Sequence, residues 1–117
     1  MSILEAPVDP VIIDSALEQA SRCHSLDMGV NDFLGHTGSD GNSFSERAYA
    51  AGYTGFAMAE NVAAGQSSPA AVVSSWMNST GHCNNIMHSN ADEMGIGYVS
   101  VPGSRYTRYW TMKFGSR

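Results

Sequence analysis

Basic charge is scarce in this chain. Six lysines and arginines stand against eleven acidic residues, for a net charge of −5. That balance argues against nucleic acid or an anionic membrane as the main partner, since both bind through clustered cations. Long apolar runs are also missing, and no stretch approaches the roughly 18 residues of a membrane span. Met1 to Pro10 has neither a basic segment followed by an apolar one nor helical periodicity, so it reads as an extended lead-in without an export signal. Cysteine occurs only as Cys23 and Cys83. They form no C-x-x-C pair, which excludes the usual redox and zinc motifs; the residues alone leave open two buried thiols or one disulfide. Gly38-Ser39-Asp40-Gly41 lacks the lysine of a phosphate-binding loop and the pattern of an EF-hand. No G-x-S-x-G elbow surrounds Ser79, which argues against pairing it with His82 as a serine hydrolase.

What is present suits one globular domain over residues 1–117, long enough to bury a core without staples. Val11-Ile12-Ile13 reads as extended. Asp14 is an N-cap for a helix whose face carries Ala16, Leu17, Ala20, Cys23, His24 and Met28, with Gly29 placed to end it in a left-handed cap. Asn31 to Gly41 reads as loop. Ser43-Phe44-Ser45-Glu46 is a capping box opening a short helix to about Ala51, closed by Gly52. A strand lies within Tyr53 to Ala64. Ser68-Pro69 starts a helix running to Asn78, and His82 to Met87 suits one more helical turn. Met94 to Val101 and Tyr106 to Phe114 read as strands of a hairpin through Pro102-Gly103-Ser104. Helices interrupted by strands, with an antiparallel end, indicate an α+β class.

The chemistry gathers between Glu60 and Met87, with His36 in a similar polar, glycine-rich setting. Two imidazoles and a carboxylate from separate segments suit a divalent metal or an acid–base site. The bland alternatives are loop-bracing histidines and a carboxylate in an ion pair. His24 lies on the apolar helix face and reads as structural; His88 reads as solvated.

The order of short motifs carries more weight than any one of them. His36-Thr37-Gly38, Phe44-Ser45-Glu46-Arg47, Ala50-Ala51-Gly52-Tyr53, Glu60-Asn61-Val62-Ala63-Ala64-Gly65, Ser75-Trp76-Met77-Asn78-Ser79, Gly81-His82-Cys83-Asn84-Asn85-Ile86-Met87 and Gly95-Ile96-Gly97-Tyr98 follow one another. In this the chain resembles the CAP superfamily, or SCP-like domain, in its bacterial form, from about Val11 to Phe114. The resemblance implies a three-layer α-β-α sandwich with a mainly antiparallel sheet. It implies that the helix which usually precedes the segment matching Val11 to Ile13 is missing, which would expose an apolar surface to a homodimer or another partner. It implies an extracellular, secreted protein, and with that a Cys23–Cys83 disulfide.

It also implies that His36, Glu60 and His82 meet in one cleft as ligands for a divalent metal, zinc first, with Ser79 and Asn61 in support. Glu93, which opens a strand, reads either as a further support behind the site or as a surface or amide-bound carboxylate. The family's second glutamate falls at Ser79, and a hydroxyl cannot replace it as a base. The function this implies is a binding or interaction module for a sterol, another lipid or a protein. The alternative is a metal-dependent hydrolase or protease using Glu60 as general base.

Overall fold

A computed structural model describes residues 11–87 and 91–117. The lead-in Met1 to Pro10 and His88 lie outside the described residues. The elements run β1 (Ile12–Ile13), α1 (Ser15–Val30), α2 (Phe44–Ala50), β2 (Phe56–Ala64), α3 (Pro69–Met77), α4 (Thr80–Ile86), β3 (Glu93–Ser100) and β4 (Arg108–Ser116). The sheet has the order β1-β3-β4-β2; only the short β1–β3 pairing is parallel. α1 and α2 lie on one face and α3 and α4 on the other, giving the expected α-β-α sandwich.

Alternation along β4 builds both faces. Trp110, Met112 and Phe114 point to α3 and α4, where they bury Val72, Trp76, Ala63 and Ala91. Both indoles find acceptors, Trp76 Nε1 on the Val62 carbonyl and Trp110 Nε1 on that of Gln66. Tyr109, Thr111 and Lys113 alternate to the opposite face, over which α1 lies. Leu17, Ala20, Ser21, His24, Ser25, Met28 and Gly29 form its buried stripe. This stripe is small and polar because α1 sits almost on the backbone of β3. A Cβ at Gly95 would stand 2.1 Å from Glu18 N, and one at Gly97 2.2 Å from Arg22 N. At that approach Ser21 and Ser25 donate hydroxyl hydrogen bonds to the carbonyls of Gly95 and Gly97.

Capping follows the sequence. Asp14 accepts from Leu17 N, the Ser43–Glu46 capping box closes in both directions, and Ser68 accepts from Ala71 N. Gly29 departs from its expected role. It is inside α1, where a Cβ would strike the Val101 side chain at 2.4 Å, and the left-handed residue is Asp32, with φ 60°. Close packing therefore requires glycine at position 29. The hairpin loop also extends past Ser104, because Thr107 takes φ 69° and ends the ladder before Arg108.

Cys23 and Cys83 are free thiols, which corrects the expected disulfide. Cys23 is on α1 and Cys83 on α4, in the two layers that the sheet separates. A disulfide would need their Cα atoms within about 4.4–6.8 Å.

Candidate functional site

The site is built on β2, the edge strand opposite β1. Its register against β4 shifts between Ala57 and Ala59, leaving Met58 as an extra residue. A bulge of this kind changes the phase of the side chains that follow. Glu60 is thereby paired with Lys113 and faces the α1–α2 layer, while Asn61 is paired with Met112 and faces α4. One dipeptide thus reaches into both helical layers.

On the first side, Glu60 is wholly enclosed, with 0% side-chain exposure. Its Oε1 accepts from His36 Nδ1 at 2.9 Å and from Arg47 Nη2 at 3.3 Å. Its Oε2 accepts from Arg47 Nη2 at 3.0 Å and from Lys113 Nζ. These four bonds fill the carboxylate's lone-pair positions. Burial pushes the Glu60 pKa up, but the His36 hydrogen bond and the charge and hydrogen bond of Lys113 outweigh it, and the pKa falls to about 2. Burial also pushes Lys113 down, against the pull of Glu60 and with the repulsion of Arg47. The two directions agree once the groups are counted, since two cations and an imidazole share a single carboxylate. His36 itself is half exposed, and Arg47 Nη2 also holds its carbonyl oxygen at 2.7 Å.

On the second side, fully buried Asn61 donates to the His82 carbonyl at 3.2 Å and accepts from Asn85 Nδ2 at 2.9 Å, tying α4 to the strand. Ser79 occupies the N-cap position of α4 without making a capping bond. Its hydroxyl is turned instead to His82 Nδ1, at 2.9 Å. Burial lowers the His82 pKa, and the nearby charge of His36 lowers it further. The two imidazoles come from opposite layers and are near enough for the charge of His36 to act on His82. Neither Nε2 has a hydrogen-bond partner among the described residues.

The expected three-ligand set is not formed. Among the described residues no three His, Cys, Asp or Glu side chains come together to hold a metal. Glu60 is itself fully engaged by donors, and His36 and His82 remain as the candidate ligands. Glu93 is not at the site: it accepts from Tyr53 Oη at 2.7 Å and from Arg117 Nε, bracing the C-terminal end of β4. His24 is fully buried and donates through Nε2 to the Gly35 carbonyl, while its Nδ1 lacks a partner. Arg47 belongs to one of the short motifs, but no motif marks Lys113. The signal for the latter was a lysine set between Met112 and Phe114 in an apolar strand, where a buried counter-charge is required.

Known proteins share this architecture. An outer surface protein of Borrelia burgdorferi superposes with a TM-score of 0.82 at 22% identity, over 94% of this chain and 80% of that one. An extracellular protein of Bacillus anthracis containing an SCP domain gives 0.81 at 23% identity, over 94% of this chain and 35% of that one. In sequence, the uncharacterized protein YkwD of Bacillus subtilis is 35% identical over 105 residues, covering 90% of this chain. The chain spans only 39% of the length of that relative. No helix among the described residues is long and apolar enough to cross a membrane. The model of the cysteine-rich secretory protein family, CAP, matches residues 4–114, and the chain belongs to that family.

Proposed function

We propose that this is an extracellular binding domain whose cleft at the edge of β2 takes a divalent cation on His36 and His82 and does no hydrolysis. The observation that carries this reading is the state of Glu60. A carboxylate that accepts four bonds, is enclosed, and has its pKa held near 2 is a poor general base at neutral pH. Its role is to orient His36, as carboxylates orient metal-binding imidazoles elsewhere. The Ser79 hydroxyl does the same for His82 from the other layer.

The donor chemistry fits zinc through two neutral imidazoles, with the remaining positions left to water or to a partner's group. It does not fit Glu60 as a third ligand. A bound zinc would supply a cationic anchor for that partner, and with only two protein ligands its affinity would be modest. Exposed Ile12, Ile13 and Tyr98 supply apolar surface for a lipid, a sterol or a protein, including a second copy of the chain. An extracellular setting is supported by the outer-surface and extracellular descriptions of the structural relatives.

Calorimetry with zinc at pH 7.5 tests the cation site, with H36A and H82A each expected to remove the heat. Chelator-sensitive turnover of a peptide or ester, abolished in E60Q, would overturn the non-catalytic reading.

A further inference from the structure

His24 is fully buried on the inner stripe of α1. Its ring meets Phe33 edge-on, with centroids 6.0 Å apart at 68°. Its Nε2 donates to the Gly35 carbonyl at 2.7 Å, and its Nδ1 has no partner among the described residues. Burying an imidazole costs free energy that an apolar side chain of like size would not. A single hydrogen bond offsets that cost here, so the bond to Gly35 is what the histidine supplies. Donation to a carbonyl places the ring proton on Nε2. Burial pushes the His24 pKa down, and the ring is neutral at pH 7.5.

Gly35 immediately precedes His36, one of the two candidate cation ligands. The carbonyl of Gly35 and the N–H of His36 belong to one planar peptide group, so a bond to that carbonyl restrains the plane before the His36 Cα. Arg47 Nη2 holds the carbonyl of His36 itself at 2.7 Å and restrains the plane after it. Two restrained planes restrict the φ and ψ of His36, and with them the direction in which its side chain leaves the backbone. Glu60 then receives Nδ1–H at 2.9 Å, and Nε2 is left bare. Without the His24 bond the first plane could turn, because Gly35 has no Cβ and nothing lies within 4 Å of where one would stand. Packing supplies no substitute, since Leu34, His36 and Thr37 are all exposed.

We propose that His24 is a positioning residue for His36: from inside the α1 layer, its hydrogen bond to the Gly35 carbonyl orders the backbone that presents the His36 ring to Glu60 and to a cation. His24 touches no ligand itself. The consequence for zinc rests on the cation-binding reading of the two imidazoles; the ordering of the His36 ring does not.

The test compares H24Q and H24N in the full chain, by long-range proton–nitrogen NMR of the imidazoles in zinc-free protein at pH 7.5 and by zinc calorimetry. The two variants carry the same amide group but differ in reach. The glutamine nitrogen falls where Nε2 stands and can still donate to Gly35, whereas the asparagine nitrogen stops at the position of Nδ1. In wild type, His24 is expected in the Nε2–H form and His36 in the Nδ1–H form that donates to Glu60. H24Q should keep His36 in that single form. H24N should give a mixture of His36 tautomers or exchange-broadened ring signals, and should bind zinc about tenfold or more weakly than H24Q. A His36 spectrum unchanged in H24N, or disturbed equally in H24Q and H24N, would overturn the positioning role. Wild-type His24 found in the Nδ1–H form would overturn it without any variant, since Nε2 could not then donate to Gly35. Absence of zinc heat in wild type would overturn the cation reading alone, because the NMR comparison decides the positioning role without metal.

Discussion

Replacing Glu60 with glutamine removes one charge from the centre of the site and leaves Arg47 and Lys113 facing each other without an anion. The wild-type carboxyl is held at about 2 against an ordinary 4.5. A difference of that size corresponds to about 3 kcal/mol of preference for the charged form in the folded state. Breaking a buried pair by removing one partner costs about 3–5 kcal/mol, because the remaining charge is uncompensated. Lys113 limits the loss, since burial already depresses its pKa and it can release its proton in the variant. A loss of about 3 kcal/mol is therefore expected for E60Q at pH 7, a large part of the roughly 5–15 kcal/mol typical of a domain.

The pH dependence separates this from a simple packing defect. The folded pKa of Glu60 is depressed, so its stabilisation is present above the unfolded value of about 4.5 and is lost as pH falls towards about 2. Urea unfolding of wild type and E60Q at pH 7, 5, 4 and 3 should show a wide gap at pH 7 and 5 that narrows steadily below. A gap under about 0.5 kcal/mol at pH 7, or one that stays constant down to pH 3, would refute the reasoning.

Other substitutions probe the remaining parts. G97A would place a methyl 2.2 Å from the backbone of Arg22, so a loss of at least about 1–3 kcal/mol is expected in thermal unfolding, and an unchanged midpoint would mean that α1 does not lie so close. S79A removes the partner of His82 Nδ1 and should weaken zinc binding about tenfold or more in calorimetry, while changing stability by only about 1 kcal/mol. Thiol titration without reductant should count both Cys23 and Cys83 in unfolded protein; finding neither would restore the disulfide.

The elements were legible because their signals are local. Asp14, the Ser43–Glu46 pair and Ser68-Pro69 mark helix starts by hydrogen bonds within four residues of each other. Gly95 and Gly97 stand in a recognisable motif, but their physical reason, the approach of α1, joins segments more than seventy residues apart. The role of Glu60 was hidden for the same reason. Whether a carboxylate ligates or is neutralised depends on Arg47 and Lys113, brought to it by another helix and strand, and on a one-residue bulge at Met58 that decides which face it takes. The expected disulfide failed on layer geometry, which two cysteine positions cannot convey. The role of Glu93 is equally non-local, since its partners Tyr53 and Arg117 lie forty residues before it and at the end of the chain.

The most direct test of the two-imidazole cation site is zinc calorimetry at pH 7.5 and pH 5.5 on wild type, H36A, H82A and E60Q. Imidazoles must be neutral to bind, so the heat should be clear at pH 7.5 and smaller at pH 5.5. It should vanish in each histidine variant, and in E60Q it should weaken yet persist, because Glu60 orients His36 without being a ligand. Zinc binding that survives in H36A and H82A, or that vanishes in a folded E60Q while both histidines remain, would contradict this assignment.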